Sequence, residues 1–219
     1  MPPMPNFWIE SVYSFIVIIS CMLIFYRTKE LYELTSHKGI RYFRNTFLFF
    51  GITYIVRFIG FLARPDGARH INPAYFDPAF FLVAYSSSMA LIYLISSIFW
   101  KRLDPLSKKK EYLFHVIAST IALISVVIGM KFLIFAFQGV LFLLLMIVSY
   151  INYKKTKNKG PLSKIYTLYL LIFGLWITSN VLELVAFFSQ ILAAMIYGAS
   201  IFLFVLVLLR VLKELNPKH

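Results

Sequence analysis

Residues 84–105 read AYSSSMALIYLISSIFWKRLDP, an apolar stretch that opens on polar residues and closes on a basic pair and a proline. Residues 196–217 read IYGASIFLFVLVLLRVLKELNP and align with it without a gap. The matched residues include Tyr85 with Tyr197, Ser88 with Ser200, Lys101 with Lys213, Leu103 with Leu215 and Pro105 with Pro217. The alignment indicates a chain built from two related halves.

A weaker match pairs RYFRNTFLFFG at 41–51 with KIYTLYLLIFG at 164–174. Together the two matches predict a parallel repeat, with one half at about 7–105, a linker span at about 111–130 and the second half at about 131–217. The alternative is convergence, in which Asp104 and Pro105 only cap and begin the next helix. That explanation does not extend to the matching Asn216 and Pro217, because no predicted helix follows them.

The composition predicts a membrane protein. Hydrophobic residues make up 60% of the chain, charged residues only 14%, and the mean hydropathy is +0.79. A membrane span needs about 20 mainly apolar residues, and seven stretches of that kind can be counted. They are roughly 7–26, 45–63, 79–100, 112–130, 132–152, 165–188 and 190–209. The expected fold is therefore an all-α membrane protein, a single seven-span domain over residues 1–219.

The basic residues are distributed unevenly between the predicted loops. Of the 22 Lys and Arg, 18 lie in the predicted loops and tail at 27–44, 101–110, 154–164 and 210–218. The positive-inside rule then places the N-terminus outside and the C-terminus inside a cell membrane that the chain crosses several times. The basic segments are expected to contact lipid headgroups of the bilayer and to offer a surface to a cytoplasmic protein partner, and they do not require nucleic acid.

Seven spans in a parallel three-plus-one-plus-three order resemble the transporter–opsin–receptor group, which includes microbial rhodopsins and PQ-loop sugar carriers. The resemblance implies a receptor-like or transport role. Microbial rhodopsins hold retinal on a lysine in the seventh span, whereas the middle of this one reads YGASIFLFV and has no lysine. Covalent retinal is therefore not expected. The prolines lie in termini, loops or span ends, which does not favour a transport site built on broken helices.

Two ionisable residues lie inside predicted spans, where charge is costly and marks function or a buried pair. Arg57 in span two and Glu183 in span six are each about six residues, or roughly 9 Å, from the predicted outer boundary. Trp176, Asn180 and Glu183 share one helix face because they are spaced by four and three residues. The equal depth predicts a polar layer near the outside.

Polar residues of other spans fall at a similar depth and complete a predicted outward-facing pocket for a small polar or anionic ligand. The predicted ligand-binding residues are Arg57, Tyr85, Ser88, Gln138, Trp176, Asn180, Glu183, Tyr197 and Ser200. Structural alternatives stay open: Arg57 and Glu183 would only lock two helices, the serines would only permit close packing, and Trp176 would be core.

Signals for an enzyme, a metal or a cofactor are weak. The four histidines have no metal-ligand spacing, and His115 is interpreted as an interfacial helix residue. Cys21 is the only cysteine, so no intramolecular disulfide or cysteine zinc site can form. The expected function is a non-enzymatic ligand-binding sensor or receptor-like module without a cofactor. The alternative is a small-solute transporter or channel.

Overall fold

The computed structural model describes residues 7–36, 38–62, 78–103, 107–128, 131–155, 174 and 190–215. Within these residues the chain is helical and has no strand. The six helices with defined ends are α1 Phe7–Thr35, α2 Lys38–Leu62, α3 Pro78–Leu103, α4 Ser107–Ile128, α5 Lys131–Lys155 and α6 Gln190–Leu215. They cover six of the seven predicted spans, and α6 corresponds to span seven.

The predicted basic loops at 27–44, 101–110 and 154–164 are wrong in part, because most of their basic residues lie in helices. α1 continues to Thr35 and α2 already begins at Lys38. The charges support this continuation: Arg27 pairs with Glu30 at 3.3 Å and Lys29 with Glu33 at 3.7 Å, at the i,i+3 and i,i+4 spacings that stabilise helices. Helices α3, α4 and α5 likewise include basic residues at their ends.

Helix α1 ends in a left-handed residue. Ser36 has a φ of 51°, and its backbone N–H donates to the Tyr32 carbonyl at 2.7 Å. A positive φ with this single backbone bond is the αL form of helix termination. Only residues 36 and 37 separate α1 from α2, and Arg44 of α2 contacts the rings of Phe25 and Tyr32 of α1. We call residues 25–62 the hairpin.

Among the described residues, three helical segments are long and apolar enough to cross a membrane: Ser11–Leu34, Pro78–Ile98 and Glu111–Ile128. Two shorter apolar segments, Ala136–Ile147 and Met195–Val211, lie in α5 and α6. Helix α2 is not among them, and it carries Lys38, Arg41, Arg44 and Arg57. The predicted span at 165–188 lies outside the described residues except for Gly174, which is helical.

Residues 25–141 form one compact unit, in which α3 packs against both α2 and α4. Its main core cluster consists of Tyr42, Met89, Ile92, Tyr93, Phe114 and Ala118. Ala84 of α3 and Ala122 of α4 form a second buried cluster. Small side chains let helix backbones approach closely, which is how helices associate where lipid removes the hydrophobic driving force.

Residues 1–24 and 142–219 form the second compact unit. Helix α6 is buried along one stripe, Ser200, Phe204, Val207 and Val211, whose spacings of four and three residues follow a single helix face. Large apolar side chains such as Phe202 and Leu209 are exposed between them. An apolar outer face is what a helix presents to lipid.

Candidate functional site

The polar segment of α3, Tyr85 to Ser88, connects this helix to three others. Successive residues of a helix point about 100° apart, so three neighbouring polar side chains face three directions. Tyr85 bonds to α4, Ser86 to α2 and Ser87 to α5. We call Tyr85, Ser86, Ser87 and Ser88 the α3 polar segment. All of these contacts lie within the unit of residues 25–141.

The contact with α4 joins a tyrosine and a histidine. The Tyr85 hydroxyl lies 2.5 Å from Nδ1 of His115, and the two rings are nearly parallel with centroids 6.2 Å apart. Phe49 of α2 packs edge-on against both rings. The phenol donates when Nδ1 carries no proton and accepts when it does. His115 is thus a half-buried hydrogen-bonding residue, and its interpretation as an interfacial residue did not include this role.

The contact with α2 joins two buried hydroxyls, Thr53 Oγ1 and Ser86 Oγ, at 2.8 Å. Each of them also lies within bonding distance of a carbonyl of its own helix, Phe49 for Thr53 and Leu82 for Ser86. A hydroxyl has one proton, so one of the two donates across the helix pair while the other donates to its own backbone.

The contact with α5 is a chain of two hydrogen bonds. Nε2 of Gln138 donates to Ser87 Oγ at 2.6 Å, and Ser87 Oγ donates to the Val83 carbonyl at 2.7 Å. Gln138 is only 4% exposed. Consecutive hydrogen bonds polarise one another, which strengthens such chains in a medium of low dielectric constant.

Ser88 differs from the other serines of α3. Ser87, Ser96 and Ser97 each donate to a backbone carbonyl three or four residues earlier, and Ser86 Oγ lies within bonding distance of the Leu82 carbonyl and of Thr53. Ser88 is 0% exposed, and its Oγ has no hydrogen-bond partner among the described residues. Leaving a buried hydroxyl unsatisfied costs about 1–3 kcal/mol, so such a group requires an explanation. It shares a helix face with Tyr85, one turn earlier.

Arg57 lies one turn beyond Thr53 on the same face of α2. It is half-buried, and its guanidinium carbon lies 5.8 Å from the centre of the Tyr54 ring. The α2 helix therefore places a cation one turn from the Thr53–Ser86 bond. The residues predicted to accompany it in span six, Trp176, Asn180 and Glu183, lie outside the described residues.

The remaining predicted site residues, Tyr197 and Ser200, belong to the second unit. Ser200 is 0% exposed, and its Oγ lies 2.8 Å from the Tyr13 hydroxyl of α1. The rings of Tyr13 and Tyr197 pack at a centroid distance of 4.8 Å. Of the predicted set, the structure places Arg57, Tyr85, Ser88 and Gln138 in one unit, with Gln138 bonded to the α3 polar segment.

The predicted ligand-binding set did not include Thr53, Ser86, Ser87 or His115, although the three hydroxyls belong to the predicted outer polar layer. The depth of the three hydroxyl residues in the predicted spans could be read from the sequence. Small polar residues are common in membrane helices, however, so depth alone does not indicate a site. The bond between Tyr85 and His115 joins α3 and α4 and depends on how these helices pack. No periodicity in a single helix predicts that contact.

A second polar cluster lies nearer the other end of α2 and α3. Arg41 of α2 forms an ion pair with Glu111 of α4. Tyr93 of α3 interacts electrostatically with both members of this pair. Among the residues whose side chains the structure describes, no group of three or more His, Cys, Asp or Glu is placed to hold a metal ion.

No protein-family model matches the chain, and no solved structure matches it. A protein of Archaeoglobus fulgidus described as an uncharacterized protein is 30% identical to it over 223 residues. The match covers 98% of this chain and 96% of the archaeal protein, so the similarity extends over nearly the whole of both. The chain therefore belongs to the same family as this Archaeoglobus fulgidus protein.

Proposed function

We propose that the protein is a non-enzymatic, multi-pass membrane sensor that binds a small polar or anionic ligand at the α3 polar segment. The observation that carries the proposal is Ser88, a fully buried hydroxyl without a partner among the described residues, beside three residues that each bond to a different helix. A ligand that bonds to Ser88 would satisfy that hydroxyl. Arg57, one turn from the Thr53–Ser86 bond, would favour an anionic ligand.

The position of the site supports sensing. Tyr85, Ser86 and Ser87 determine how α3 sits against α4, α2 and α5, so a ligand beside them interacts differently with different arrangements of these helices. A ligand shifts a conformational equilibrium only through such differential affinity. The conformational change would then alter the basic segments on the cytoplasmic side, which would bind a protein partner.

Hydroxyls further along α3 support a sensor over the second candidate, a small-solute transporter. Ser96 donates to the Ile92 carbonyl and Ser97 to the Leu94 carbonyl, so both bond to their own helix. A transport route needs polar groups that face a solute on both sides of the binding site. The α3 polar segment instead lies near the helix end at Pro78.

The binding test uses the protein in nanodiscs and its melting temperature against a panel of millimolar probes: acetate, glycine, inorganic phosphate and glycerol. A probe that raises the melting temperature of the wild type should lose the effect in Ser88→Val, which fills the site with a methyl group. Ser96→Ala is the matched control, because Ser96 lies on the same helix and donates to its own backbone. Equal stabilisation of wild type and Ser88→Val would refute the site.

The same probe, radiolabelled and offered to proteoliposomes, distinguishes the two candidate functions. A sensor binds the probe without moving it across the bilayer. Accumulation above that of protein-free liposomes, abolished by Ser88→Val, would establish the transporter instead.

We also propose the seven-span topology with the N-terminus outside, the C-terminus inside and two related halves. It is supported by the basic asymmetry of the sequence and by helices at six of the seven predicted spans. Single cysteines at Arg69 and Lys157 should react with an impermeant reagent from opposite faces. The native Cys21 is 1% exposed and serves as a silent background. Labelling of both sites from one face would refute the seven-span topology.

A further inference from the structure

Arg44 of α2 is held between two aromatic rings of α1. Its guanidinium carbon lies 5.2 Å from the centre of the Phe25 ring and 5.5 Å from that of Tyr32. Phe25 and Tyr32 are seven residues apart and therefore lie on one face of α1, about two turns from each other. We call this arrangement the Arg44 slot. Two cation–π contacts fix the position of the guanidinium, whereas the side chain of an arginine exposed on a surface is free to move.

Neighbouring cations of the hairpin have carboxylate partners, whereas Arg44 has none among the described residues. Arg27 pairs with Glu30, Lys29 with Glu33, and Arg41 with Glu111. Among the described residues no carboxylate pairs with Arg44, and its buried Nε has no hydrogen-bond partner. The slot therefore contains a positive charge and at least one N–H donor that the described protein groups leave unused.

The chemistry of the slot matches an oxyanion. A guanidinium presents donors in a planar fork that fits the oxygens of phosphate, and its charge strengthens each hydrogen bond. Pinning the fork in advance lowers the entropic cost of binding. Since a buried unsatisfied donor is costly, a bound oxyanion at Nε would also stabilise the hairpin.

The position of the slot matches the headgroup layer of a bilayer. Arg44 lies six residues, or roughly 9 Å, along α2 from Lys38, where the helix begins. The polar layer on each side of a bilayer is several Å thick. The exposed apolar residue Leu48 lies on α2 one turn beyond Arg44, on the side away from the turn. A phosphate there would have acyl chains beside apolar helix surface.

We propose that the Arg44 slot binds the phosphate of an anionic phospholipid. The leaflet concerned is the cytoplasmic one if the proposed topology is right, but the chemistry of the slot does not depend on that orientation. It is also distinct from the α3 polar segment and its proposed ligand.

The test uses the full chain in a neutral maltoside detergent, with binding followed by native mass spectrometry and by melting temperature. Three probes are titrated: short-chain phosphatidylglycerol, the corresponding diacylglycerol without phosphate, and inorganic phosphate. Phosphatidylglycerol should bind the wild type and raise its melting temperature, whereas the diacylglycerol should not. In Arg44→Gln the concentration for half-saturation should rise about tenfold or more, as expected for loss of charged hydrogen bonds.

Two variants serve as controls. Arg27→Gln removes a cation of the same hairpin whose side chain is 56% exposed and paired with Glu30, and it should bind like the wild type. Tyr32→Leu keeps Arg44 but removes one wall of the slot, so it should weaken binding even if Arg44→Gln does not fold. Equal weakening by Arg27→Gln and Tyr32→Leu would mean diffuse surface charge and would overturn the proposal.

The probes separate the sources of the oxyanion. Stabilisation by inorganic phosphate equal to that by phosphatidylglycerol would assign the slot to a soluble anion and overturn the lipid assignment. Binding of the diacylglycerol as tightly as of phosphatidylglycerol would show that only acyl chains are recognised, which also overturns it. Cysteine labelling tests the topology separately. A failure of the lipid proposal therefore does not refute the seven-span topology, and a failure of the topology does not refute the lipid proposal.

Discussion

Helices α3 and α6 contain the two aligned stretches, yet they are buried to very different extents. Between Ala84 and Ser97 almost every residue of α3 is buried or half-buried, whatever its direction. Among the α6 residues whose side chains the structure describes, the buried ones are the stripe of Ser200, Phe204, Val207 and Val211. Two similar membrane sequences can therefore form a helix that is buried on all sides and a helix that keeps one face exposed. Both are possible because Leu, Ile and Phe suit the protein interior and lipid equally.

The polar residues of the two helices differ in the same way. Ser86 and Ser87, which bond to α2 and α5, align with Gly198 and Ala199 of α6, which have no hydroxyl. Tyr85 bonds to a histidine, whereas Tyr197 packs against the ring of Tyr13. If the halves arose by duplication, the α3 copy bonds to three helices through Tyr85, Ser86 and Ser87, whereas the described polar contact of the α6 copy is the bond from Ser200 to Tyr13 of α1.

The largest expected effect is on the free energy of unfolding, and it differs between substitutions on opposite faces of α6. Residues two apart point about 200° away from each other. On α6, Phe204→Ala should lower the free energy of unfolding by about 3–5 kcal/mol, because Phe204 is fully buried. Phe202→Ala, at a position that is 62% exposed, should cost less than about 1 kcal/mol. Unfolding in mixed micelles with increasing SDS measures both.

The same experiment on α3 should give no such asymmetry. Ile92 and Leu94 are 8% and 0% exposed, and each change to Ala should cost about 2–5 kcal/mol. A near-neutral result for either would show that α3 has an exposed face and would remove the contrast with α6.

The next effect compares Ser200 with its aligned partner Ser88. Ser200→Ala breaks the bond to Tyr13 and should cost about 0.6–1.7 kcal/mol, the range of interhelical hydrogen bonds in membranes. Ser88→Ala removes a hydroxyl without a described partner and should be neutral or stabilising. The same SDS titration, with Tyr13→Phe and the Tyr13→Phe/Ser200→Ala double variant, gives the coupling. A loss in Ser88→Ala as large as that in Ser200→Ala would contradict the assignment.

A smaller effect is expected for the pair of Tyr85 and His115, which is only half-buried. Tyr85→Phe removes the hydroxyl and keeps the ring, so only the hydrogen bond is lost. A double-mutant cycle with His115→Leu should give a coupling of about 0.6 kcal/mol. Tyr112→Phe on α4, at a position that is 73% exposed, is the control and should have no effect. Additive losses in the cycle would mean that the two side chains do not interact.

The smallest effects should have opposite signs at one aligned position. Ser86→Ala loses the bond to Thr53 and should be mildly destabilising. Gly198→Ala should stabilise α6 by about 0.5 kcal/mol, because the added Cβ meets no atom within 4 Å and alanine favours the helix. The melting temperatures of the two variants and of the wild type in detergent measure both effects. Destabilisation by both changes would indicate that α6 is packed at Gly198 as α3 is at Ser86.

The positions of the helices were largely predictable from local sequence. The predicted spans at 7–26, 79–100, 132–152 and 190–209 fall inside α1, α3, α5 and α6, and most of the span at 112–130 falls inside α4. Pro78 stands at the first position of α3, where proline is tolerated. The extent of the basic loops was not predictable from hydropathy alone. Hydropathy marks where a helix leaves the apolar layer, not where it ends, and charge pairs such as Arg27–Glu30 carry α1 beyond that point.

Composition and apolar run length are properties of single segments, so they were enough to predict a helical chain rich in apolar segments. The order of the residues also placed polar side chains at one depth along α3. The contacts between helices came from packing: Tyr85, Ser86 and Ser87 bond to three different helices, Ser88 has no partner among the described residues, and Arg44 lies between Phe25 and Tyr32. Such hydrogen bonds and cation–π contacts require atoms of separate helices to meet within a few Å. The packing of the helices decides which atoms meet, and the period of a single helix does not contain that information.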